Sequence, residues 1–227
     1  GSFTQDQVDR LTGLLAALPG GPAPKTRPAA YSRAVTAKRK AIEQNHLILA
    51  FPAPTYLDPR RAQMLLLNSL LGGGCSSRLF QKLREERGLC YTVYSYVADH
   101  ADTGLLGIYA GVSPEQERQA LDTARQVVLE LAGHGPAQEE VDRVREQAKA
   151  NLLMGAELVQ ARMSHLGSSA LLYGRVKELR EILDEYNAVT REQLRDLAGE
   201  LFRTENASLS AVGRVSPAAE YAEWLGR

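Results

Sequence analysis

From Ser113 to Phe202 one helical segment follows another, while strand-like runs lie ahead of that block and once behind it. Ser113-Pro114-Glu115-Gln116 has the form of a capping box with proline at the first helical position, opening a helix to about Gly133 through Ala120, Ala124, Val127 and Leu131. Helical spacing recurs over 136–156, 158–173, 176–186 and 190–202, the last opened by a second box, Thr190-x-x-Gln193. Ahead of the block, His46 to Phe51 is a short apolar run closed by Pro52, and Cys90 to Ala98 and Gly104 to Val112 are rich in strand formers. The turn Asp99-His100-Ala101-Asp102 joins the latter two as an antiparallel hairpin, and Ala207 to Val212 returns as a late strand. This order predicts an α+β domain, a mainly antiparallel sheet covered on one face by helices.

Upstream, Val8, Leu11, Leu14, Leu15 and Leu18 fall at helical spacing before Pro19-Gly20-Gly21-Pro22-Ala23-Pro24. Residues 1–37 are therefore expected to be a tag remnant (Gly1-Ser2, without Met), a helix and a linker, with a longer natural chain upstream, and 38–227 the one domain. Asp58-Pro59 caps a helix through Leu65, Leu66 and Leu70 that stops at Gly72-Gly73-Gly74. Ser76 or Ser77 caps a second helix with Leu79, Phe80 and Leu83 on one face and Gly88 just past its end.

Twenty-seven basic residues balance 27 acidic ones, which argues against a nucleic-acid partner. No stretch approaches a membrane span, so no membrane contact is expected. Cys75 and Cys90 make neither a disulfide framework nor a zinc spacing and read as reduced thiols. His46, His100, His134 and His165 form no H-E-x-x-H, H-x-x-E-H or i, i+4 pair, so a metal site made by this chain alone is not expected. Nucleophile elbow, Walker loop and dinucleotide fingerprint are equally absent.

The informative stretch runs from Gly72 to Tyr96: G-G-G-C-S-S-R-L-F-Q-K-L-R-E-E-R-G-L-C-Y-T-V-Y-S-Y. It resembles the C-terminal half of the pitrilysin/insulinase family of zinc metallopeptidases, in the branch of bacterial zinc proteases and the mitochondrial processing peptidase. There a glycine-rich turn precedes S-S-R-L-F, and an arginine at a helix end is followed seven residues later by a strand tyrosine. Val8 to Pro22 looks like the last helix of the family's first half with its linker, and Glu43-Gln44-Asn45-His46 like the start of its second half.

The resemblance implies a half-enzyme. Zinc and the H-x-x-E-H motif are expected in a partner half or subunit, over which this half closes as the other shell of a chamber that takes an extended peptide. It also implies a bacterial cytoplasmic setting and a dimer-like pairing. By motif position it assigns Arg84 to a substrate carbonyl and Tyr91 to the oxyanion, with Gly72, Gly73, Gly74 and Ser77 bordering the substrate. Taken locally, Arg84 is equally a last-turn residue complementing a helix dipole and Tyr91 an ordinary strand aromatic. Arg87 competes with Arg84, but its spacing of four to Tyr91 does not match the motif. Period-two alternation puts Tyr94 and Tyr96 on the face away from Tyr91, as packing residues. A structural subunit of the same fold without turnover, or a peptide-binding module, are the alternative functions.

Overall fold

The computed structural model describes residues 2–21 and 27–226; Gly1 and the Pro22-Ala23-Pro24 end of the expected linker lie outside them. Helix α1 (Gln5–Ala16) starts at Thr4, whose hydroxyl and the Gln7 side chain exchange hydrogen bonds with each other's backbone N–H. None of its residues is buried. The chain then forms β1 (Val35–Arg39), β2 (Asn45–Pro52), α2 (Arg61–Gly72), a π-helix (Phe80–Glu85), and the hairpin β3 (Cys90–Asp99) and β4 (Gly104–Val112). After these come α3 (Glu117–His134), α4 (Gln138–Glu157), α5 (Val159–Tyr173), α6 (Leu179–Ala188), α7 (Arg191–Leu201), β5 (Ser208–Gly213) and α8 (Ala218–Leu225).

The five strands make one sheet in the order β1-β5-β2-β4-β3. Every neighbouring pair is antiparallel except β1 with β5, which run parallel from Val35 opposite Leu209. Strand β1 was not expected from its sequence, Val-Thr-Ala-Lys-Arg, because an edge strand with one half-buried face has little apolar signal and owes its existence to β5. The other departures are local. Ser113 makes no side-chain cap and the turn after it is 3-10 before α3 begins, while α6 starts three residues later than the periodicity implies. The Thr190 and Gln193 box at α7 forms in full.

Alternation sorts the sheet into two faces. Leu47, Leu49 and Phe51 of β2 and Leu106 and Ile108 of β4 are buried in one core with α2, α3 and α7. Leu66, Leu67 and Leu70 of α2 are fully buried there, each contributing about 1.5–3 kcal/mol relative to exposure. Phe51 meets Phe202 edge to face at a centroid distance of 5.2 Å. Larger residues of the opposite parity, Ile48, Tyr94, Tyr109 and Ser210, are half-buried or exposed, and no helix among the described residues covers them.

At one end the core is tied by a buried polar knot. Asn45 on β2 donates to Glu117 Oε2 at 2.5 Å, and the Tyr221 hydroxyl of α8 donates to Oε1 at 2.6 Å. Burial, with the Glu117 carboxylate beside it, pushes the Tyr221 phenol well above its ordinary pKa.

Candidate functional site

Three backbone devices bring the predicted residues to one edge of the sheet. The first is the end of α2. A side chain on Gly72 would run into the backbone N and hydroxyl of Ser95, so α2 can seat on β3 only with glycine there, and one on Gly73 would come within 2.6 Å of Ser69 Cα in the last turn of α2 itself. Gly74 has open space around its Cα.

The second is the π-helix Phe80–Glu85 where an ordinary helix was expected; Glu86 N–H donates to Gln81 O in the i to i+5 pattern. Leu83 is fully buried beneath it, while Arg84 is half-buried at its last turn. Gly88, at φ +59°, then turns the chain into β3.

The third is a bulge at the start of β3. Cys90 pairs with Val112 and Thr92 with Gly111, leaving Tyr91 as the extra residue. The bulge overturns the simple alternation expected for this strand. Val93 and Ser95 are the core-facing residues, whereas Tyr91, at 73% exposed, does not follow their parity. Tyr94 and Tyr96 accordingly belong to the uncovered face and are not packing residues of the core.

Arg84 and Tyr91 meet here. The guanidinium carbon lies 4.9 Å from the Phe80 ring centroid and 5.2 Å from that of Tyr91. Neither the guanidinium nor the Tyr91 hydroxyl makes a hydrogen bond or ion pair among the described residues, so both sets of donors are unspent. Arg87 is engaged elsewhere, donating to Thr123 Oγ1 at 2.8 Å. Beneath the pair, burial pushes the Cys90 thiol up to about 11 despite the opposing charge of Arg84.

Gly72, Gly73 and Gly74 border a cleft of about 360 Å³ with Cys75, Phe80 and Tyr94. Phe80 thus lies against both the cleft and Arg84. Ser77 does not line the cleft: it is buried, its hydroxyl without a partner, and its backbone N–H donates to Gly74 O to close the turn. Sequence reasoning missed Phe80 and Cys75 as lining residues. Phe80 was read only as a packing residue, although its neighbour Leu79 is the one that is fully buried.

Among the described residues no three His, Cys, Asp or Glu side chains come together as a metal site. His46 is on β2, His134 ends α3 and His165 is on α5, where its Nε2 bonds to Lys177 O at 2.7 Å. These residues do not fit zinc. No helix among the described residues is long and apolar enough to cross a membrane.

A helix layer thus covers one face of a five-stranded sheet, with an unpaired arginine and tyrosine at its edge and no metal cluster among the described residues. Comparison with known proteins makes the assignment. The family model for the peptidase M16 inactive domain matches residues 1–148, and the chain belongs to that family, as the Gly72–Tyr96 motif implied.

It is 38% identical to the uncharacterized zinc protease YmxG of Bacillus subtilis over 77% of this chain and 42% of that one. With an uncharacterized zinc protease of Streptomyces coelicolor the identity is 39%, over 75% of this chain and 37% of the relative. The chain thus spans less than half the length of these relatives. The crystal structure of a peptidase M16 inactive domain from Pseudomonas fluorescens superposes with a TM-score of 0.83 at 25% identity, covering 94% of this chain and 52% of that one. A chain of complex III2 from Candida albicans shares the fold alone, with a TM-score of 0.83 at 16% identity over 99% of this chain and 57% of its own.

Proposed function

We propose that this chain is the non-zinc half of a zinc metalloendopeptidase, contributing substrate binding and oxyanion stabilisation to an H-x-x-E-H half. The observation that carries the reading is the side-by-side placement of two unspent donors, the Arg84 guanidinium and the Tyr91 hydroxyl. Peptide-bond hydrolysis develops negative charge on the former carbonyl oxygen. The Arg84 fork holds a substrate carbonyl and the Tyr91 hydroxyl donates to the oxygen as it becomes an oxyanion; donors aimed in this way are worth about 3 kcal/mol each. Phe80, which lines the cleft, also holds the guanidinium against its ring without consuming a donor. Beside them, the glycine turn lets an extended backbone approach closely, and β3, an edge of the sheet, offers it unpaired backbone groups.

In this reading zinc belongs to the partner half, the expected 38–227 working unit reaches back to Val35 because β1 is part of the sheet, the segment ahead of it is the tether, and Ser77 supports the glycine turn. The pair works as a dimer-like assembly in the bacterial cytoplasm. The deciding experiment is cleavage of a quenched fluorescent peptide library by this chain with added zinc, and then with the H-x-x-E-H half. Silence alone and turnover on mixing support the proposal. Silence in both cases favours a structural or peptide-holding subunit, and turnover by this chain alone would show an unrecognised site.

A further inference from the structure

We propose that the uncovered face of the sheet carries a flat aromatic subsite, made by Tyr94, Tyr109 and His46, that takes an aromatic or large apolar side chain of an extended peptide; it rests on the peptidase reading above and names the substrate class of that site. Tyr94 and Tyr109 are register partners on β3 and β4, and their rings stack at 4.9 Å with 29° between planes. Across the next strand, His46 Nδ1 is 2.7 Å from the Tyr109 hydroxyl. Tyr96 lies over Gly107, where even a methyl group would come within 2.7 Å of its phenol oxygen, and its centroid is 6.1 Å from that of Tyr94. Each ring is therefore held by a partner and loses little freedom when a ligand covers it.

The position ties this platform to the cleft. Tyr94 is 42% exposed and also lines the cleft of the glycine turn and Phe80, so the platform is continuous with that cleft. Its chemistry selects the occupant. The neighbouring residues of the same parity, Ile48, Thr92, Ser210 and Val212, are uncharged. A basic side chain would meet Lys38, which shares this face through its register with Val212 and His46, and the electron-rich faces of the tyrosines disfavour an anion. An apolar or aromatic side chain needs no counter-charge and gains the stacked surface.

The test is a titration of the full chain, with ¹³C-labelled tyrosine rings, against ten-residue extended peptides identical but for one central Phe, Ala, Arg or Asp. The Phe peptide is expected to bind about tenfold or more tighter than its Ala twin and to shift the Tyr94 and Tyr109 ring signals, and the preference should vanish in Tyr94→Ala and Tyr109→Ala. Equal binding of the Phe and Ala peptides, tightest binding of the Arg or Asp peptide, or a preference that survives both substitutions would overturn the subsite. Cleavage of the same peptides by the chain mixed with the H-x-x-E-H half is scored separately. A pair that cleaves none of them removes the peptidase reading, while the titration alone decides the subsite.

Discussion

The guanidinium of Arg84 stands 5.2 Å from the ring of Tyr91, although one residue comes from a π-helix and the other from the bulge of an edge strand. A standard helix and an unbulged strand would each have turned one of these side chains elsewhere. Two irregularities in succession are what bring both donors side by side, and such irregularities concentrate at working sites.

Arg84→Ala and Tyr91→Phe should each lower kcat/KM of the paired enzyme by roughly ten- to a thousandfold. Tyr91→Phe keeps the ring that faces Arg84, so its Tm should match that of the native chain. Steady-state kinetics with thermal melts check this, and native rates in both variants would remove the assignment.

Gly72→Ala should lower Tm by about 3–10 °C, because the added methyl meets Ser95 in the seam between α2 and β3. Gly74→Ala, with nothing within 4 Å, should melt like the native chain. Equal melting temperatures for the two variants would show that the seam is looser than the geometry implies.

At pH 8, iodoacetamide should alkylate exposed Cys75 and spare buried Cys90, whose thiol is held up at about 11. Peptide mass spectrometry reads both sites, and comparable labelling of Cys90 in the folded chain would contradict the burial. The raised thiol and the raised Tyr221 phenol also set a pH dependence. Both groups keep their protons in the folded chain to higher pH than in the unfolded one, so their stabilisation is complete below about pH 9. It declines as pH rises from the unfolded thiol value near 9 to about 11, with the Cys90 share amounting to about 2–3 kcal/mol. Urea midpoints from pH 8 to 11 should fall, and Cys90→Ala should flatten the first part of that slope.

Tyr221→Phe should cost about 1–3 kcal/mol, since Glu117 Oε1 loses its 2.6 Å donor while remaining buried. Denaturant melts measure it, and a change below about 0.5 kcal/mol would mean that water replaces the hydroxyl.

The helical block, the hairpin, the core strand β2 and the late strand were legible because apolar periodicity repeats over many residues, and the family because Gly72 to Tyr96 preserves residue types at fixed spacing. Arg84 and Tyr91 were reachable through that spacing alone. Local signals left them as a helix-end arginine and a strand aromatic, and nothing in the letters announces that their donors are unpaired.

The sequence by itself determined the α+β class, the buried stripes of α2, α3 and α7 and the motif. Tertiary structure alone decided that β1 is a strand, that Phe80–Glu85 widens into a π-helix, and that the bulge takes Tyr91 out of the core-facing parity of Val93 and Ser95. Strand β1 depends on β5 and the bulge on β4, partners distant along the chain, as the close fit at Gly72 depends on Ser95 of β3. Periodicity records how one segment divides between core and solvent; it holds no record of the register in which two segments meet, and register is what aims a side chain.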